Sequence, residues 1–351
     1  MDASINPFLE EKEEIVFSPF QGTFPMSTRG VELSEEAFLA NRDVQEIFAA
    51  RRANPTAAMS GAGTGPTTDA PPEAEAMRGL MEEGVERSDL ALQQDFRFFP
   101  AGEGNTYSVI VFEVGKAGLT FGPDNVKAFG LVLRNDPDQG EIPVHQIDAN
   151  FTISEDEGDD EDSATHTFSV TLSPGSHRLV WGVMDTTSRR ITTVSKAFEV
   201  PDFATSELTL TSVAMAMSAM QQTQEPIDLA RVYDFMRLGP FEINIDVDRV
   251  FDRDATISLL YFVMGTGVDS STGQARIEVT HRVLLAVDDQ SIAVLPQQVL
   301  ASPAISQDIP LSQISQLEAG ADYKLQIHVK DLVTGNELTH EVAFSVAPGG
   351  S

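Results

Sequence analysis

The chain has 351 residues, 41% of them hydrophobic, enough to fill two or three domains that each own a core. Asp and Glu outnumber Lys and Arg by 54 to 23, a net charge of −31, so the surface repels phosphate backbones and anionic lipid heads, and nucleic acid and bare membrane are excluded as partners. Cysteine is absent, which removes disulfides, thiolate metal sites and a cysteine nucleophile. No run approaches the ~20 apolar residues of a membrane span. Lysine is scarcer than arginine, and this acidity fits either a salt-adapted protein or an acidic protein from an ordinary GC-rich genome. Either way, self-repulsion predicts stability that rises with salt.

Residues 1–90 form an extension unlike the rest. Its first residues, from Met1 to Glu14, have neither a basic n-region nor an apolar h-region and do not read as a secretory signal. Ser34 is an N-cap candidate for a helix over 35–52, with Phe38, Leu39, Val44, Ile47 and Phe48 near one face. Residues 54–73, rich in Ala, Gly, Thr and Pro, have no apolar period and read as a flexible linker. A second helix over 72–87 places Met77, Leu80, Met81 and Val85 against a neighbour.

From residue 91 the period switches to two. Phe96 and Phe98 alternate with polar neighbours, residues 107–114 are a nearly continuous apolar run suited to a central strand, and strands follow over 127–133, 144–154 and 165–172. Turn material such as Asn135-Asp136-Pro137-Asp138 and Ser173-Pro174-Gly175 separates them. After Pro201-Asp202-Phe203, new strand material begins at 208–217. Residues 218–238 read as a helix or irregular insertion covering a sheet edge. Phe241, Ile243, Ile245 and Val247 alternate with Glu242, Asn244, Asp246 and Asp248 as a half-buried strand, and strands over 255–264, 276–286 and 291–300 follow.

A strand-turn-strand unit closes each half. Residues 177–200 and 323–346 align at a constant offset: Leu179 on Leu325, Val183 on Val329, Asp185 on Asp331, Phe198 on Phe344 and Val200 on Val346, each unit preceded by a glycine, Gly175 or Gly320. So wide a repeat means two copies of a whole domain. The expected fold is all-β: two tandem immunoglobulin-like antiparallel sandwiches, over 91–203 and 204–348, behind the helical and partly flexible extension.

Residues that carry chemistry are sparse. His145, His166, His177, His281, His328 and His340 form no His-Glu-x-x-His or His-x-His pattern and read as surface or satisfied core histidines. Seven carboxylates crowd around Gly158, namely Glu155, Asp156, Glu157, Asp159, Asp160, Glu161 and Asp162. They lack EF-hand spacing and read as a solvated hairpin loop, with weak divalent-cation binding as the alternative. No nucleophile elbow, phosphate-binding loop or dinucleotide turn occurs. Asp246 and Asp248 share a strand face in the manner of a glycosidase pair, but outward acidic pairs are expected at this charge density. Trp181, on the face of Leu179 and Val183, reads as core, with a sugar-stacking platform as the alternative. Met215, Met217 and Met220 read as gap-fillers or a soft contact surface. No catalytic residue, metal ligand or cofactor is assigned.

Ser88-Asp89-Leu90-Ala91-Leu92-Gln93, followed by Phe96-Arg97-Phe98-Phe99-Pro100, resembles the segment after the von Willebrand factor A-type domain in VWFA-related proteins of Acidobacteria and similar bacteria. The stretch from Pro174 through Trp181-Gly182-Val183-Met184-Asp185, the junction from Val200 to Phe203, and the element from Arg249 to Thr256 resemble that family and the neighbouring GWxTD-domain proteins. The resemblance covers residues 75–348 and rests on strand-and-turn patterns. Its A-type domain, with an Asp-x-Ser-x-Ser adhesion site, has no counterpart here, because Asp2-Ala3-Ser4-Ile5-Asn6 ends on Asn6 where the motif needs Ser. The family implies export, which makes the chain a truncated or diverged form of an exported protein; a cytoplasmic protein starting at Met1 is the alternative. The expected function is non-catalytic: an interaction or scaffold protein that binds a protein partner through sandwich loops or edge strands. A carbohydrate-binding or hydrolase-associated module and a divalent-ion-dependent adhesin are the alternatives.

Overall fold

The computed structural model describes residues 71–155, 162–216, 221–222, 229, 231–238, 241–245 and 247–348. The expected helix over 35–52, residues 54–70 of the expected linker, Asp156 to Glu161, Met217, Met220 and Asp246 lie outside them. Helix α1 (Pro72–Arg78) opens with Pro72 at its first position, where proline's fixed φ suits a helix start, and carries Glu73 and Glu75 in its first turn. It continues as one wider π turn, Gly79–Glu83, and ends at Gly84, whose φ of 68° is the left-handed conformation of a helix stop. The helix is therefore shorter than the expected 72–87. Leu80 and Met81 are buried as expected, but Val85, past the stop, is exposed.

Seven strands follow: β1 (Leu92–Pro100), β2 (Thr106–Gly115), β3 (Val126–Asp136), β4 (Gly140–Phe151), β5 (Ser163–Leu172), β6 (Gly175–Asp185) and β7 (Ile191–Val200). They pair antiparallel into two sheets, β1-β2-β5 and β4-β3-β6-β7, which face each other across a core of Ile110, Phe112, Phe168, Val132, Trp181 and their neighbours. Trp181 is fully buried, its ring edge-on to Phe112, and its Nε1 donates to Gln94 Oε1 at 2.5 Å. Gly130 lies directly opposite it on β3, where a Cβ would come within 2.5 Å of the Trp181 Cα and the Val180 carbonyl, so the glycine lets the two central strands approach closely beside Trp181.

The second half adds β8 (Thr209–Leu210), β9 (Ala214–Ala216), β10 (Gln221–Gln222), β11 (Met236–Leu238), β12 (Phe241–Ile243), β13 (Val250–Phe251), β14 (Thr256–Met264), β15 (Ile277–Leu285), β16 (Ser291–Val294), β17 (Gln298–Leu300), β18 (Ala304–Pro310), β19 (Asp322–Asp331) and β20 (Glu337–Val346). Strand β14, flanked by β18 on one side and by β8 and β9 on the other, packs against the sheet of β13, β20, β19, β15, β16 and β17 around Leu259, Tyr261, Ile327, Val329 and Phe344. The expected strand over 241–247 pairs only through Ile243. It belongs to a small separate sheet, β10-β12-β11, rather than to the second sandwich.

The repeated hairpins, β6-β7 and β19-β20, differ in one instructive way. On β19, Tyr323, Leu325, Ile327 and Val329 are buried while Lys324, Gln326, His328 and Lys330 are not. On β6 every residue from Leu179 to Asp185 is buried. The cause is α1 with its π turn, whose Leu80 and Met81 cover Leu131, Leu133 and Val180 and whose Ala76 covers Phe129, Met184 and Ile191 on the outer face of the first sandwich. A strand buried on both faces reads as a continuous apolar run, and one with a wet face alternates.

A third core joins the halves. The outer face of β2 (Tyr107, Val109, Val111) and the outer face of β14 (Leu260, Phe262, Met264) share one cluster with Phe99, Ala214, Ala216, Met236, Leu238 and Ile243. This explains why 107–114 and 257–264 are both nearly continuous apolar runs. Arg97, 3% exposed on the same face of β1, pairs with Asp95, which also accepts a bond from Arg249 Nη2 at 2.8 Å, 154 residues away. Burial raises the Asp95 pKa, but the two guanidinium groups and the Phe96 N–H outweigh it and hold the carboxyl below its usual range.

Candidate interaction surface

A strand at the rim of a sheet shows a row of unpaired N–H and C=O groups, so how each rim is closed decides where another chain can add. In the first sandwich Ser212 closes β1, exchanging bonds with Phe98 through its N–H and its hydroxyl. Tyr233 closes β5 by a two-way bond with Thr167, so part of the 218–238 insertion covers a sheet edge in irregular rather than helical form. Residues 87–90 cover the start of β7 through bonds to Ile191, Thr192 and Thr193. Among the described residues, the rims with no strand paired on their outer side include β4, β18 and the β16–β17 line.

They differ in how they are guarded. Strand β4 carries Pro143 and a register shift against β3, and its Glu141 is held by Arg178 at 2.5 Å, devices that discourage further pairing. Strand β18 shows Ser306 and Asp308 to solvent and stops at Pro310. The β16–β17 line follows β15 as β4 follows β3, so it is the same rim of the second copy. It shows apolar side chains instead: Val294 is 61% and Val299 55% exposed, flanking the interruption at Pro296. Where β16 begins, a groove of about 810 Å³ lies between the β15–β16 turn and the loop before β19, with Leu285, Ile292 and Ala321 in its lining, Val287 at 88% exposure, and Glu318 and Asp322 as its carboxylates.

The residues singled out in the sequence do not converge on a site. His166 and His281 are buried and His145 half-buried, and burial pushes each ring down to about 4. The His281 Nε2 sits 2.9 Å from the Tyr261 hydroxyl, inside the second core. His177 Nδ1 lies 2.9 Å from the Gly175 carbonyl, His328 is 3.7 Å from Glu337, and burial lowers His340. Among the described residues no three His, Asp or Glu side chains are placed to hold a metal. Of the acidic run only Glu155 and Asp162 are described; both are exposed, and both backbone carbonyls accept bonds from Lys116, whose side chain is buried. Asp248 accepts the Val250 N–H, and Met215 fills a gap in the second core. Phe96, Phe98 and Phe198 form a half-buried row at the rim between β1 and β7, but they stack on one another, Phe96 and Phe198 at 4.4 Å, which uses the ring faces a sugar would need.

Sequence reasoning missed the groove. Its walls come from two turns about thirty residues apart, and the one local signal is Val287, an apolar residue inside the polar turn Asp288-Asp289-Gln290. Among the described residues no helix is long and apolar enough to cross a membrane. No protein family model matches the chain, and no curated protein matches it. Among solved structures it is similar to dimeric latent PorU from Porphyromonas gingivalis at 10% identity and a TM-score of 0.30, a likeness too weak to carry an argument, over 76% of this chain and 21% of that one.

Proposed function

We propose that this is a non-catalytic interaction protein, built of two immunoglobulin-like sandwiches, that takes up an extended segment of a protein partner along the open β16–β17 rim. The strand order supports the immunoglobulin-like reading: the first, second and fifth strands share one sheet, and the fourth, third, sixth and seventh share the other. The observation that carries the binding reading is the pair of exposed valines on an outer rim whose counterpart in the first half carries Glu141 held by Arg178. Strand addition draws its affinity from main-chain bonds and its specificity from alternate side chains, and β16–β17 offers both. The VWFA-related and GWxTD resemblance agrees with such a role in an exported protein.

A photo-crosslinking residue at Val299, compared with one at exposed Thr339 on the polar face of the same sheet, tests it. Crosslinks to a discrete partner from position 299 alone, abolished by Val294→Lys, are expected. Equal capture from both positions would sink the proposal.

A further inference from the structure

We infer that the groove beside this rim receives an apolar side chain of the partner segment, flanked by basic residues; the inference rests on the strand-addition reading and specifies the chemistry of the partner. The turn above the groove is built without Val287. Leu285 and Gln290 close it through a backbone bond, Asp289 donates back to Leu285 with its φ at 58°, and the Asp288 carboxylate accepts the Gln290 N–H. A valine 88% exposed in such a turn serves no packing among the described residues. Below it, Leu285, Ile292 and Ala321 pack against the second core, so the apolar lining has a fixed backing.

Charge sets the flanks. Glu318 and Asp322 line the groove, and its lining contains no cationic side chain. The nearby cation on β19, Lys324, is engaged by Asp289 at 2.7 Å and by Glu341 at 3.6 Å. A second copy of this chain carries the same net charge of −31, whereas a segment with Lys or Arg beside its apolar residue supplies the missing sign. Continuity sets the direction of approach: Ile292 belongs both to β16 and to the groove lining, so a strand added to the rim runs into the groove.

The test uses the full chain at about 0.15 M salt, where long-range attraction to a charged surface is largely screened. Fluorescence anisotropy compares three labelled short peptides: alternating valine and lysine, alternating serine and lysine, and alternating valine and glutamate. The first should bind at least about tenfold tighter than the others, and Val287→Asp and Glu318→Lys should each weaken it about tenfold. Val287 is too exposed for its replacement to threaten folding, and unchanged near-ultraviolet dichroism confirms this for both variants. Equal binding of the serine-lysine peptide would overturn the inference, since charge alone would then suffice. Binding that ignores both groove variants but is lost in Val294→Lys/Val299→Lys would overturn the groove and leave the rim standing, whereas indifference to all four substitutions would remove both. Concentration-dependent dimers of the chain alone, abolished by Val287→Asp, would overturn the basic-segment partner in favour of a second copy.

Discussion

Asp185 and Asp331, the aspartates that align in the repeat, do the same work in both copies. Asp185 accepts the N–H groups of Thr187 and Ser188 in its own hairpin turn and of Thr120 in the loop between β2 and β3, the last at 2.6 Å. Asp331 accepts from Val333 and Thr334 in its turn and, at 2.7 Å, from the N–H of Gly267 in the loop between β14 and β15. Each carboxylate thus ties a hairpin to the loop that links the two sheets of its sandwich, with no exposure to solvent. Burial pushes both pKa values up, but the donated bonds outweigh it and leave both below the usual range. Asp331→Ala, which orphans these donors, should cost about 2–4 kcal/mol in urea unfolding at neutral pH. A depressed carboxyl contributes stability that is present above about pH 4 and lost as pH falls through the lower folded value. The desolvated histidines act earlier: unfolded imidazoles take up protons near pH 6.5 while half-buried His145 and buried His166 and His281 wait until about 4, so stability should already fall between those values. A flat stability profile from pH 7 to 4.5 would contradict their burial.

At the scale of elements, α1 and its π turn decide the difference between the two sandwiches. The covered face of β3 and β6 can be apolar throughout because Leu80 and Met81 lie on it, and Glu73 anchors the helix to Lys127 at 3.0 Å. Leu80→Ala should therefore destabilise the protein by about 2–4 kcal/mol and increase binding of a hydrophobic dye as Leu131, Leu133 and Val180 become accessible. A change under about 0.5 kcal/mol would mean that the helix is only loosely attached. Much of this element was legible: Pro72, the apolar spacing of Met77, Leu80 and Met81, and their need for a neighbour. Its endpoint was misplaced: the expected helix ran on to 87, past Gly84, which ends it in the left-handed conformation.

At the scale of the whole molecule, the third core makes the two sandwiches energetically dependent. The repeat argued that residues 204–348 fold alone, and their own core around Tyr261 and Phe344 supports a β spectrum for that fragment. Cut from the first half, however, it bares Leu260, Phe262, Met264, Ala214 and Ala216, and Arg249 loses Asp95. The fragment should therefore be β-structured but self-associating in sedimentation, and should melt below the intact chain. A monomeric fragment with the melting temperature of the full protein would show that the shared core contributes nothing. An apolar face of this kind is costly to expose to water.

The sequence alone determined the all-β class, most of the longer strands and the burial of Trp181, because period-two patterning and turn residues are local and a strand carries its own record of which faces are wet, whereas β18 and the short strands β10 and β11 escaped it. It also marked 107–114 as a central strand and 255–264 as a strand. Only the tertiary structure decided that these two runs meet each other, that Asp95 is shared by Arg97 and Arg249, and that the β16–β17 rim stays open while others are covered in part by Ser212, Tyr233 and residues 87–90. Those are relations between residues far apart in the chain. An open rim, above all, is defined by what does not pair with it, and no local pattern of side chains encodes that.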